Sequence, residues 1–237
     1  MLKKNHPLIM VLLLVLSSPL FAGHYTTSSK RMVPLALECR MPGMVALTFD
    51  DGPSDNYGTV LATLDNHDVT ATFFVVGSKL ENQKHIDSAL DAVAAGHQIE
   101  NHSWDHTNFL SLSISEITDQ TDRTNQIMWD TLGVTPRFLR PPYGRIDIPT
   151  AMPIWDLNIG VALWNLDPRD YELSSQNVIQ NINTALNSAS SDNDSFIILL
   201  HDFSAASVDG LDDIILTIKN HGYTFVSLDE CVDSGSH

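Results

Sequence analysis

From Val45 onward the chain alternates between short apolar runs and longer stretches with apolar residues at helical spacing. Val45-Ala46-Leu47-Thr48-Phe49 is apolar enough to form a buried strand, and Gly52-Pro53 punctuates its end. Asp55 to Asn66 reads as a helix, and Thr70 to Val76 as a second buried strand. Ile86, Leu90, Val93 and Ala94 recur on one face of a helix spanning Lys84 to Ala95, and Gly96 suits its stop. Gln98 to Asn101 is a brief strand. Ser113 with Glu116 is a capping-box signature for a helix running to Leu132, closed by Gly133. Phe138 to Arg140, Val161 to Asn165 and Phe196 to Leu200 add strands, while Ser174 to Ala189 and Val208 to Asn220 add helices. Repeated strand–helix pairs imply a single α/β domain on a parallel sheet, either closed into a barrel or doubly wound.

The first 22 residues do not share this alternation. Lys3 and Lys4 precede an apolar stretch from Leu8 to Leu16, and Ser17-Ser18-Pro19 follows. That layout predicts a secretory signal cleaved after Ala22, because the apolar stretch is far short of the ~20 residues of a membrane span. The expected organisation is therefore a leader at 1–22, an extension at 23–42, the main domain at 43–232 and a tail at 233–237. A secreted, periplasmic or extracellular location follows, without stable membrane association after cleavage.

Charge narrows the partners. The formal net charge of −16 disfavours nucleic acid and anionic lipid as electrostatically held partners and leaves neutral sugars open. A monomer is expected. Cys39 and Cys231 stand near the two ends of the main domain, and in an oxidising compartment that placement suggests a disulfide. Two buried free thiols are the alternative pairing state.

Thr48-Phe49-Asp50-Asp51-Gly52-Pro53 places two carboxylates at the end of a buried strand. Like charges this close are costly unless a cation shares them. Asn101-His102-Ser103-Trp104-Asp105-His106 offers a matching pair of imidazoles, and a four-residue step would put both on one side of a helical turn. Two nitrogens and one oxygen leave positions open for water and substrate, as in a catalytic metal site. The second carboxylate would then be free to act as a base. Three later clusters also follow strands: Arg140-Pro141-Pro142-Tyr143-Gly144, Asp167-Pro168-Arg169-Asp170-Tyr171 and Leu199-Leu200-His201-Asp202. Their arginine, backbone amides and histidine could clamp a carboxylate, face an oxyanion and donate a proton. His67, His85, His97 and His221 match no cluster, and Trp129 and Trp155 fit core or packing roles.

Taken in order, these five clusters resemble the motifs of the polysaccharide deacetylases, carbohydrate esterase family four, over Met44 to Leu228. The resemblance implies a distorted (β/α) barrel and metal-dependent removal of acetyl groups. The substrate would be an acetylated polysaccharide or oligosaccharide. Chitin and chito-oligosaccharides come first, with peptidoglycan and acetylated xylan as alternatives. Carried over, Asp51, His102 and His106 would bind a divalent ion, zinc first, with cobalt, nickel or manganese possible. Asp50 would be the general base oriented by Arg140, and His201 the general acid held by Asp170. The Tyr143 amide would bind the developing oxyanion. Pro141, Tyr143, Trp164, Tyr171 and Leu199 would contact substrate, with Leu199 and Trp164 walling an acetyl pocket. Tyr171 departs from the family, which more often has Trp there. A non-haem iron oxygenase and a sugar-binding module without turnover are the rivals from other classes.

Overall fold

A computed structural model describes residues 35–233. The expected leader and all of the tail beyond Asp233 lie outside the described residues. Within them the order is β1 (Leu35–Ala36), β2 (Met44–Gly52), α1 (Tyr57–Asn66), β3 (Thr72–Val75), α2 (Gln83–Ala94), β4 (Gln98–Asn101), α3 (Ile114–Leu132), β5 (Phe138–Leu139), α4 (Ile148–Asp156), β6 (Gly160–Ala162), α5 (Ser175–Asn187), β7 (Phe196–His201), α6 (Ala205–Asn220), β8 (Thr224–Val226) and α7 (Leu228–Val232). No helix among these residues is long and apolar enough to cross a membrane.

All strand pairings are parallel, in the order β1-β6-β5-β4-β3-β2-β7, with β8 also paired to β2. The chain leaving β6 crosses to β7, where Leu166 bridges Ile198 and Leu199 N–H donates to the Leu166 carbonyl at 3.0 Å. That contact joins the two sides of the curved sheet and makes it a distorted barrel. The expected strand over Val161 to Asn165 is shortened for this reason, since its second half has to turn toward β7.

Alternation along β2 sorts its residues between two faces. Val45, Leu47 and Phe49 pack outward with Val60, Leu64, Ile214 and Ile218 of the covering helices. Ala46 belongs to the inner cluster with Phe74, Phe138, Ala162 and Ile197. Thr48 and Asp50 continue that inner face, so the barrel interior turns polar toward the C-terminal ends of the strands. Both residues are buried.

The helix α4 was not legible, because Pro149 and Pro153 look like breaks. Pro149 sits in its first turn, where a missing N–H costs nothing, and an Asp147–Thr150 capping box starts the helix. Trp129 corrects a second expectation. It lies on the outer side of α3 and is 59% exposed, so it is no core residue.

Cys39 and Cys231 form the disulfide, and Arg40 N–H donates to the Cys231 carbonyl at 2.8 Å. The two cysteines are 192 residues apart, so the bond removes much chain entropy from the unfolded state. A Cys39→Ala/Cys231→Ala variant is expected to lose about 3–5 kcal/mol in urea unfolding. A loss below about 1 kcal/mol would show that the buried cysteine positions are stable without the bond.

Candidate active site

The strand register brings the sequence clusters to one rim. Gly52 pairs with Val75, Val75 with Asn101, and Asn101 with Leu139, so four strand ends stand in one row. On the other side of β2, Asp50 pairs with His201. The C-terminal rim of a parallel β/α sheet is where loops can present side chains without disturbing the core.

Asp51 adopts a left-handed backbone, φ 67°, and the β2–β3 register shifts between Phe49 and Gly52. This departure from simple alternation lets both neighbouring carboxylates reach one spot. Asp51 Oδ1 lies 3.2 Å from His102 Nε2 and 3.0 Å from His106 Nε2. His102 and His106 do not share a helical turn, contrary to the four-residue spacing argument. They sit in a loop after β4 in which Ser103 and His106 have φ of 66° and 63°, and the left-handed residues fold the second imidazole back beside the first.

The donor set fits a cation. His102 Nδ1 is 2.8 Å from the Arg140 carbonyl, an acceptor, so Nδ1 carries the proton and Nε2 presents its lone pair inward. Asp51 Oδ1 is buried and has no hydrogen-bond partner although two imidazole nitrogens face it. One ligand atom from each of Asp51, His102 and His106 lies within 4.8 Å of the others, a set whose chemistry fits a divalent cation. Burial alone would raise the Asp51 pKa, but hydrogen bonding and positive charge from the two imidazoles, the ion-free counterpart of a bound cation, outweigh it and hold it far below the usual carboxylate range.

Asp50 faces the same point from the barrel interior. Its Oδ1 accepts from Arg140 Nη1 at 2.6 Å, and its Oδ2 is 3.7 Å from His102 Nε2. Arg140 is fully buried and also donates to Thr48 Oγ1, the Leu163 carbonyl and the Ala162 carbonyl. Its guanidinium stacks at 4.1 Å over the Phe74 ring and 5.4 Å from Trp164. Burial pulls the Arg140 pKa below its usual value, while the Asp50 charge opposes that loss.

On β7, Ile197, Leu199 and His201 share the inner face with Asp50. His201 Nδ1 donates to Asp170 Oδ1 at 2.8 Å, and His201 N–H donates to Asp170 Oδ2 at 2.7 Å. Ser207 Oγ donates to the same Oδ2 and Ser204 Oγ to the Asp170 carbonyl, so the buried aspartate is held from α6 as well. Burial disfavours the His201 imidazolium, yet the Asp170 bond and charge, with Asp50 and Asp51 further off, raise its pKa above the usual value.

The expected substrate contacts surround these groups. Pro141 and Pro142 are buried and stiffen the turn, and Tyr143 has φ 60° with its ring exposed and 4.7 Å from the His106 ring. Trp164 packs so close to Gly144 that a Cβ there would come within 2.6 Å of the indole. Leu199 is 4% exposed. The Tyr171 ring stands edge-on to His201 at 5.5 Å, and its hydroxyl, which a tryptophan would lack, donates to Asp167 Oδ2 at 3.2 Å.

Two further groups steady the Asp50–Ser54 turn. Lys79 Nζ donates to the Asp51 carbonyl at 2.5 Å, and Ser54 N–H donates to Asp202 Oδ2 at 2.8 Å. Asp202 is buried, which pushes its pKa up to about 6 despite the Ser54 bonds. Asp202 adjoins His201 in the sequence and could have been found. Lys79 carried no local signal.

The chain is similar in sequence and fold to known proteins. A model of the family described as polysaccharide deacetylase matches residues 38–154. The chain is 31% identical to the chitin deacetylase of Colletotrichum lindemuthianum over 86% of each chain. The solved structure of that protein superposes with a TM-score of 0.81, covering 85% of this chain and 92% of the other at 30% identity. The chain is also 33% identical to the peptidoglycan-N-acetylglucosamine deacetylase PgdA of Listeria monocytogenes, covering 87% of this chain but 42% of that protein. A carbohydrate esterase family four pseudoenzyme from Bacillus anthracis is similar at a TM-score of 0.75 and 25% identity, over 85% of this chain and 70% of the other.

Proposed function

Because the chain belongs to the polysaccharide deacetylase family, we propose that it hydrolyses N-acetyl groups on N-acetylglucosamine polymers or oligomers, chitin and chito-oligosaccharides first, and releases acetate. A pseudoenzyme among the similar structures means that the fold alone carries no activity. The observation that carries the reading is local: Asp51, His102 and His106 converge on one point, and Asp50 and His201 lie on paired strand positions beside it.

Asp51, His102 and His106 would hold a divalent ion, zinc first, which when bound supplies Lewis-acid polarisation of the acetyl carbonyl and a more acidic water. Asp50 Oδ2, not engaged by Arg140, takes a proton from water as its oxygen attacks the acetyl carbon. Arg140 fixes the Asp50 carboxylate and balances its buried charge. The left-handed turn at Tyr143 supports a role for its N–H as donor to the carbonyl oxygen as charge develops. His201 then protonates the leaving nitrogen, the C–N bond breaks, and acetate and a free amine result. Asp170 keeps the His201 Nδ1 proton in place so that Nε2 does the transfer. Leu199 and Trp164 would face the acetyl methyl, and Pro141, Tyr143 and Tyr171 the sugar ring.

The disulfide supports work in an oxidising, extracytoplasmic compartment; the reading takes the enzyme to act there as a monomer. Acetate release from acetylated chito-oligomers, peptidoglycan and acetylxylan, measured side by side, tests the reading. Release from the chitin series is expected to be fastest, to fall to background with a chelator and to return with zinc. No acetate from any of the three with zinc present would leave a sugar-binding module instead.

A further inference from the structure

We infer that Gln120 is a positioning residue for the metal site: from α3 it fixes the loop that turns His102 and His106 toward Asp51. The inference rests on the reading that these three side chains hold an ion. The loop has to be held from outside, because Ser103 and His106 both occupy the left-handed backbone region without being glycine. Gln120 is the side chain that spans its middle. Its Oε1 accepts from Trp104 N–H at 2.8 Å and Asp105 N–H at 3.2 Å, and its Nε2 donates to Asp105 Oδ1 at 2.9 Å. Three bonds therefore land on the two residues midway between the imidazoles. Gln120 itself is 9% exposed, so its own amide group has little water to turn to in place of these bonds.

Neighbouring contacts explain why α3 can act as a fixed support. Asn101 Oδ1 accepts from Ser103 N–H at 2.7 Å, and Asn101 Nδ2 donates to the Thr121 carbonyl and to Asn125 Oδ1. Ser103 Oγ accepts from His106 N–H at 3.1 Å. From the opposite side, Gly77 and Ser78 amides donate to the Ser103 and Trp104 carbonyls at 2.9 Å. Gly77 leaves no slack, since a Cβ there would come 2.5 Å from Thr124 Oγ1 and 2.9 Å from the Trp104 ring. Arg123 of α3 covers the other part of that ring at 3.9 Å. The loop is thus gripped between α3 and the 3₁₀ turn at Gly77–Glu81, and Gln120 is the polar half of the grip.

Without Gln120 the partly buried Trp104 and Asp105 amides lose their shared acceptor and the backbone can relax toward ordinary φ, which separates the two imidazoles. Outer-sphere substitutions of this kind weaken metal binding about 10- to 100-fold. The test is zinc affinity of the full chain, by competition with a chromophoric chelator, together with the thermal midpoint of the zinc-free form. Gln120→Ala is expected to lose zinc affinity by that factor and to recover most of its turnover at saturating zinc. Gln120→Glu keeps the two acceptor bonds but sets a carboxylate against Asp105 Oδ1, and is also expected to weaken zinc. Gln126→Ala, on the exposed side of the same helix where Gln126 bonds only Asp130 in the described contacts, should keep wild-type affinity.

A folded Gln120→Ala protein with affinity within about twofold of wild type overturns the inference. Equal weakening by Gln126→Ala overturns it too, because general loosening of α3 would then be the cause. If Gln120→Ala does not fold, Gln120→Glu decides by the same criterion. Wild-type protein that binds no zinc removes this inference and the metal reading together, whereas zinc binding without acetate release removes only the deacetylase reading.

Discussion

An Asp50→Asn protein is expected to release acetate about 100- to 10,000-fold more slowly at saturating substrate, with zinc affinity close to wild type. Asparagine nearly matches aspartate in shape. Its carbonyl can still accept from Arg140 Nη1, where Asp50 Oδ1 now does at 2.6 Å. An amide NH2 then replaces Oδ2, the oxygen that faces the metal ligands, and it cannot take a proton. The guanidinium of Arg140 is fully buried and would lose its counter-charge, keeping only neutral acceptors: the new amide oxygen, Thr48 and two backbone carbonyls. A stability loss of about 1–3 kcal/mol should accompany the kinetic one, so rates belong well below the thermal transition. Turnover within tenfold of wild type would remove Asp50 as base. Loss of zinc together with turnover would make Asp50 a ligand, a different assignment from a carboxylate left free.

Asp50 and its partners were legible because each lies in a short, chemically unusual run at the end of an apolar stretch. The Asp50-Asp51 pair and Arg140-Pro141-Pro142 mark themselves in this way, and the register of β2 to β5 then does the rest by aligning strand ends. Other features depend on distant partners and leave no local trace. Gln120 looks like any polar residue of an amphipathic helix until α3 is laid against the loop at Trp104 and Asp105. The barrel closure sets Ile198 of β7 against Leu166, which falls outside any regular strand, so periodicity is silent about it. The loop conformation of His102 to His106 also defeats spacing arguments. Residues four apart meet in a helix, but here they meet because two left-handed residues fold the chain back. Trp129 misled for the opposite reason, since its bulk and helical position suggested packing that the exposed side of α3 does not provide.

Asp170→Asn is expected to reduce kcat about 10- to 100-fold and to move the alkaline limb of the pH profile to lower pH. Both carboxylate oxygens of Asp170 accept from His201, one from Nδ1 and one from the backbone N–H, and Oδ2 also accepts from Ser207 Oγ. An asparagine presents one N–H2 group whichever way it turns, so one of these N–H donors meets another donor. The direction of the pH effect follows from the role of His201. A general acid works while protonated, so activity is present below its pKa and is lost as pH rises through it. Burial lowers that pKa and Asp170 more than restores it, and the more distant Asp50 and Asp51 add to the rise. With a cation on Asp51, Asp170 is the close partner that still acts. Its loss leaves burial largely unopposed, the imidazole gives up its proton at lower pH, and the alkaline limb moves accordingly. A profile of kcat against pH for wild type and variant checks this, and an alkaline limb that stays in place would mean that a group other than His201 protonates the leaving nitrogen.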